Sequence, residues 1–213
     1  MTTSSDAPLD LPALMEAELA AAYTVPQRFY HSADHVEEVL EHFAEVAAGP
    51  GWEHPREVYL AVLYHDAIYE PGRRDNEARS ADLAVRAVNT HLPDAGIDTV
   101  YLAELIHLTA RHGHLRPADV DRDSALFLDC DMAILAAPAA RFAAYDAAIA
   151  QEYRGRLPQW MFRHLRRRFL RGLLDAPRIY LSDYFHDRLD ATARENLRQL
   201  LSARNPLKAS AGR

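Results

Sequence analysis

Residues 59–69 read YLAVLYHDAIY, an apolar and aromatic run interrupted by the adjacent pair His65 and Asp66. A run of this kind has to be buried, and a buried carboxylate must be paired, hydrogen-bonded or bound to a cation. No basic residue lies within the run to neutralise Asp66. Whatever fold the chain adopts must therefore bring a partner to this point from elsewhere. Two other polar groupings are available: His31 with His35 four residues on, and Asp129 with Asp131. Imidazoles and carboxylates in this order can converge on one divalent metal ion.

The surrounding pattern is helical almost throughout. Val36, Val39, Leu40, Phe43, Val46 and Ala47 recur at the i, i+3, i+4, i+7 spacing of an amphipathic helix. Ser32 is placed to cap its start, and Gly49-Pro50-Gly51 ends it. Pro55 suits the first turn of a next helix, expected to run to about Ile68, and Pro71-Gly72 precedes another over 76–91. Residues 9–23 are expected to form a leading helix. Further helices are expected near 97–111, 120–136, 139–153, 159–175 and 190–203. No alternating strand pattern exceeds about four residues. The expectation is an all-α, single-domain helical bundle over 9–203, with disordered tails at 1–8 and 204–213.

Composition narrows the function. Hydrophobic residues make up 49% of 213, enough for a sizeable core. Lys+Arg 24 against Asp+Glu 31 leaves a net charge of −7. That balance argues against nucleic acid and against an anionic membrane as partners, while leaving room for a small phosphorylated substrate held by a local cation. A single cysteine, Cys130, excludes an intrachain disulfide and suits a reducing compartment. The first eleven residues lack a signal-peptide pattern, and no apolar run approaches the ~20 residues of a membrane span. The expected location is cytoplasmic. Homo-oligomerisation is left open.

On a helix, His31 and His35 can look into one cleft. Imidazole and carboxylate ligands together suit Mn, Fe, Co, Ni or Zn, and the carboxylates also admit Mg. An ion with open positions acidifies a bound water, which then serves as a hydrolytic nucleophile. Asp129 and Asp131 are two apart and point to nearly opposite sides of a helix. One is a candidate ligand and the other a cap or an acceptor that orients a ligand. Arg28 is a candidate phosphate clamp, because a guanidinium forks onto phosphate oxygens. Glu77 stands at a helix head, where it can orient an attacking water or simply complement the helix dipole. His112, in a cluster with His107 and His114, is a candidate for a phosphate oxygen or a second metal. The basic run Arg163, Arg166, Arg167, Arg168 and Arg171 reads as a solvated face, with one arginine at most expected to touch substrate.

These residues resemble the HD superfamily of metal-dependent phosphohydrolases, whose signature is a His, a His-Asp doublet and a distant Asp carried on helices. The matching stretches are RFYHSADH (28–35), YHD (64–66) and FLDCDM (127–132). A bacterial group of predicted HD-domain phosphohydrolases is similar also in YEPGRRDNEARSA (69–81), TARH (109–112), Glu152-Tyr153 and ARENL (193–197). The resemblance covers about residues 10–202. It implies an HD-type bundle with His35, His65, Asp66 and Asp131 as metal ligands, Asp131 being preferred to Asp129. The His31-x-x-x-His35 spacing resembles that of cyclic-nucleotide phosphodiesterases, which implies that His31 donates a proton to the leaving oxygen. The expected function is hydrolysis of a phosphate ester of a small molecule, with nucleotides among the candidates. Two alternatives are an HD-fold di-iron oxygenase and a non-catalytic nucleotide-binding module stabilised by metal.

Overall fold

The computed structural model describes residues 7–203. Among them there are nine α-helices and no strand: α1 (Ala13–Tyr23), α2 (Ala33–Ala48), α3 (Pro55–Tyr64), α4 (Asn76–His91), α5 (Thr99–Thr109), α6 (Arg122–Met132), α7 (Ala139–Glu152), α8 (Gln159–Asp175) and α9 (Asp183–Ala203). They form one all-α bundle. The tails expected at 1–8 and 204–213 lie outside the described residues apart from Ala7 and Pro8, and Ala7 packs against the core.

Helix α3 is the central strut. Every residue from Glu57 to Tyr64 is buried, and α2, α4, α5 and α6 all pack against it. A helix apolar all round is a core helix, and the YLAVLY stretch has no polar side to turn to solvent. Burying each Val, Leu or aromatic side chain there stabilises the fold by about 1.5–3 kcal/mol. Its one buried carboxylate, Glu57, accepts the backbone N–H of Asp98 at 3.0 Å and so ties α3 to the start of α5. Pro55 takes the first turn, as its fixed φ and missing N–H favour.

Helix α1 begins at Ala13, four residues after its expected start, and three further boundaries differ from the sequence reading for local reasons. Helix α3 stops at Tyr64 instead of running to Ile68, because the next residues turn on competing hydrogen bonds. Ala67 donates to the Tyr64 carbonyl at 3.0 Å, and Ser80 Oγ takes the Ile68 N–H at 3.0 Å. The helix expected over 120–136 ends at Met132 and continues as a 3₁₀ turn over Ala133–Ala136, whose exit is held by Asn196 through the Leu135 and Ala137 carbonyls. Helix α9 begins at Asp183, seven residues before the expected start. The N–H groups of Leu181 and Ser182 donate to Asp129, each at 2.7 Å, and this anchors the chain ahead of the helix.

Asp129 thus points away from the histidines and serves as a structural anchor. Its Oδ2 also accepts the Ser182 hydroxyl at 2.6 Å, so three donors converge on one buried carboxylate. Asp129→Asn presents an amide NH₂ to a backbone donor. It is expected to destabilise the fold by about 2–3 kcal/mol, close to the effect of Asp129→Ala. Urea unfolding of the two variants checks this; an unchanged Asn variant contradicts the anchor.

Candidate metal centre

The end of α3 and the start of α2 bring the polar groups together. His35 lies in the first turn of α2 and is 2% exposed, while His65 terminates α3 and is 1% exposed. Their Nε2 atoms face each other at 3.2 Å. His65 Nδ1 lies 2.9 Å from the Val62 carbonyl, which only an N–H can satisfy. The Nε2 of the neutral ring therefore carries a lone pair. Into the same space come Asp66 Oδ2, 3.2 Å from His65 Nε2 and 3.7 Å from His35 Nε2, and Asp131 Oδ1, 3.1 Å from His35 Nε2 and 3.6 Å from His65 Nε2.

This set of donors fits a cation. His35, His65 and Asp66 offer ligand atoms that all lie within 4.8 Å of one another. Asp131 closes on the same two imidazoles. Separations of 3.1–3.7 Å are those of neighbouring donors about one ion with bonds of about 2.0–2.2 Å. The chemistry agrees with the distances. Two imidazoles with a carboxylate oxygen close to each repel through their lone pairs unless something positive sits among them. Protons can do part of this. Burial on its own depresses the His65 pKa, but the Asp66 and Asp131 carboxylates raise it well above the ordinary histidine value. Burial likewise raises the carboxyl pKa values of Asp66 and Asp131, and the facing imidazoles, His65 foremost, outweigh it and hold both below the ordinary range.

A rigid frame holds the doublet. Arg28 Nη1 donates to the His31 carbonyl at 3.0 Å and to the Asp66 carbonyl at 2.6 Å, and its Nη2 donates to the Ala67 carbonyl at 2.8 Å. The guanidinium also lies over the Tyr23 ring at 5.1 Å. The structure thus gives the phosphate-clamp role expected of Arg28 no support. Its Nη1 and Nη2 donate to three main-chain carbonyls and staple the 65–67 turn to the segment before α2, while its Nε is buried with no hydrogen-bond partner among the described residues. From the other side, Ser80 Oγ donates to the Ile68 carbonyl at 3.2 Å. Asn76 completes the frame by exchanging two hydrogen bonds with the backbone of Glu70, at 3.0 and 3.1 Å.

His31 sits beside the cluster with a partner the sequence reading gave no role. Its Nδ1 is 2.7 Å from Glu152 Oε2, and Glu152 Oε1 accepts the N–H groups of Phe29, Tyr30 and His31 at 2.8–3.0 Å. This carboxylate anchors the segment leading into α2, whereas Ser32, expected to cap that helix, makes no side-chain cap bond. Burial raises the Glu152 pKa less than His31 and these donors lower it, so Glu152 stays ionised. The His31 ring stacks on Tyr69 at 4.0 Å, and its Nε2 faces Asp66 Oδ2 at 4.0 Å. Burial depresses its pKa, and Asp66 and Glu152 more than reverse this, so His31 holds a proton more firmly than an ordinary histidine.

His112 follows α5 in a tight turn and places its Nε2 2.7 Å from Asp131 Oδ2. Asp131 thus divides its oxygens, one toward His35 and His65 and the other toward His112. Glu77 is half-buried in the first turn of α4. Among the described residues no hydrogen bond or ion pair joins it to the cluster, and it does not line the adjoining cavity, so the structure gives the expected water-orienting role no support. Cys130 is a buried free thiol whose pKa is pushed well up by burial and by the flanking aspartates, an inert core residue. A cavity of about 370 Å³ opens from the cluster and is lined at this end by His31, Tyr69, His112 and Asp131.

Glu152 is a residue sequence reasoning passed over, although it stands in one of the stretches that carry the HD resemblance. Only the fold brings it across 121 positions to His31. What fold and site together define is an all-α bundle with a candidate metal centre. No protein-family model, curated protein or solved structure matches the chain.

Two substitutions separate ligands from frame. Asp131→Asn is expected to lower bound metal at least tenfold by inductively coupled plasma mass spectrometry. Arg28→Met, which leaves every donor in place and loosens the turn, is expected to weaken metal affinity about 10–100-fold, the usual cost of removing a group that orients ligands. Unchanged metal content in Asp131→Asn contradicts the ligand set.

Proposed function

We propose that the protein is an HD-type, metal-dependent phosphohydrolase that cleaves a phosphate ester of a small molecule. The observation that carries this reading is the convergence of His35, His65, Asp66 and Asp131 beside a second, independently oriented histidine, His31, at the mouth of a cavity. A divalent ion held by those four residues supplies a polarising centre for a phosphoryl oxygen and lowers the pKa of water. Mn, Fe, Co, Ni, Zn and Mg all suit the donors.

The chain's own residues do the rest. Asp66 and Asp131 provide the negative charge that fixes a cation, and Val62 fixes the tautomer of His65 through Nδ1. Glu152 fixes the ring of His31 in the same way, so that Nε2 is the atom left to face the substrate. Asp66 and Glu152 raise the His31 pKa, which favours the protonated ring that would hand a proton to the leaving oxygen. Tyr69, stacked on His31, shields that side of the proton from water. Glu152 acts through His31 and is a positioning residue. The buried free thiol of Cys130 suits a reducing, cytoplasmic setting, and no helix among the described residues is long and apolar enough to cross a membrane.

A second reading has one specific observation in its favour. Asp131 turns its Oδ2 to His112 at 2.7 Å, so these two residues would offer donors for a second ion, as a di-iron oxygenase would require. Two equivalents of iron with a visible charge-transfer band in aerobically purified protein favour it. A metal-stabilised binding module, the remaining alternative, predicts ligand-induced thermal stabilisation without turnover.

A phosphate-ester screen with each metal supplied in turn tests the leading reading. Chelation is expected to abolish hydrolysis and re-addition of metal to restore it. Asp66→Ala should lose metal and activity together. His31→Ala should keep its metal while kcat falls about 10²–10⁴-fold, the range for loss of a general acid. Full activity in Asp66→Ala sinks the mechanism.

A further inference from the structure

One buried cation on the cavity wall lacks a full set of partners. Arg166 stands on α8 with its side chain 9% exposed, and its guanidinium lies over the rings of Tyr145 at 4.9 Å and Phe169 at 5.7 Å. Its Nε donates to Asp146 Oδ1 at 3.3 Å. Its Nη2 is buried and has no hydrogen-bond partner among the described residues. The same is true of the Tyr30 hydroxyl. Arg166 and Tyr30 line the cavity into which His31, His112 and Asp131 open.

The two charged ends of this cavity are joined by a run of rings. The His35 ring is 4.7 Å from that of Tyr30, Tyr30 is 4.6 Å from Tyr145, and Tyr145 carries the guanidinium. Arg166 contacts Tyr145, Asp146 and Phe169, and among the described residues no hydrogen bond or ion pair joins it to His35, His65, Asp66 or Asp131. Ile149, Phe162 and Phe169 make the neighbouring wall apolar. Such a surface takes the hydrophobic body of a ligand, while a few fixed polar groups set its orientation. Arg163 and Arg168, on the same helix, are exposed and have their charge screened by water. Arg166 alone of that basic run meets the cavity, where low polarity strengthens any charge it recognises.

We infer that Arg166 is the anchor for an anionic group, phosphate or carboxylate, of a ligand whose apolar body lies against Tyr145, Phe162 and Phe169. The guanidinium fork suits either oxyanion, and its stacked, ion-paired setting holds it in place before the ligand arrives. The substrate class follows: an organic anion with an aromatic or aliphatic body, in preference to a small polar phosphate. The inference rests on the phosphohydrolase reading for the reaction that follows, and on Arg166 alone for the binding.

Calorimetric titration of the full chain, metal-loaded and after chelation, tests this with three probes. These are benzylphosphonate, which has the anion and the body; inorganic phosphate, which has only the anion; and benzyl alcohol, which has only the body. Benzylphosphonate is expected to bind both forms at least tenfold more tightly than either of the others. Arg166→Met should remove most of that preference and Arg166→Lys part of it. Benzylphosphonate binding to the metal-loaded form alone, equally in wild type and Arg166→Lys, would place the anion on the cluster and overturn the proposal. So would equal affinity of chelated wild type for benzylphosphonate and benzyl alcohol, a result that needs no variant to fold. Loss of hydrolysis with Arg166-dependent binding intact would remove the reaction and leave the anchor.

Discussion

Two imidazole nitrogens 3.2 Å apart, with a carboxylate oxygen close to each, are the interaction around which the bundle is arranged. Burying four Lewis bases against one another is unfavourable unless positive charge is shared among them, and the price rises as water is excluded. The carboxylates favour a proton on His65, and the donor geometry suits a cation in its place. Much of the nearby structure follows from keeping that geometry fixed. The central helix has to end at Tyr64 so that His65 and Asp66 can diverge from a turn. Arg28, Ser80 and Asn76 then take up the backbone groups that the turn leaves without helical partners.

The helices were largely legible because their cores obey a 3.6-residue period. α4 and α8 fall where the pattern, the prolines and the capping positions place them. What escaped was set by contacts distant in sequence. The start of α9 depends on Asp129, 52 residues before Leu181. The end of α3 depends on Arg28 and Ser80. Neither signal exists within a window of one helix. The opposite roles of Asp129 and Asp131 were legible as a choice between two, since neighbours two apart diverge on a helix. Which of them faces the histidines is a matter of the rotational setting of α6, and the structure turns Asp131 toward them.

The arginines mark the limit of reading charge from sequence. Arg28 had the attributes of a phosphate clamp: it precedes the histidine pair and stands near no acidic run. Folding commits its Nη1 and Nη2 to three carbonyls, because an irregular turn beside a buried cluster has main-chain acceptors to satisfy. Arg166 sat in a basic run that resembles any solvated helix face. Contacts with α7 hold it against Tyr145 and Asp146, while Arg163, Arg168 and Arg171 stay exposed. The same residue type thus serves as a main-chain staple in one place and as part of a cavity wall in another. The difference lies in how many acceptors the fold brings within reach.

His31 and Glu152 give the cluster a direction. An isolated histidine near two carboxylates would be drawn onto them and become one more ligand. Glu152 prevents this by taking Nδ1 at 2.7 Å while binding three N–H groups of the segment that carries His31. The ring is held back from Asp66 at 4.0 Å, close enough to feel its charge and far enough to keep its own proton. Separation of metal-holding from proton-holding imidazoles is what a hydrolytic site needs, because the same nitrogen cannot do both. Four positions separate His31, in the segment before α2, from His35 in its first turn. The chain tells them apart through what each opposes: a carboxylate already saturated by backbone donors for the first, and carboxylates still open to a cation for the second.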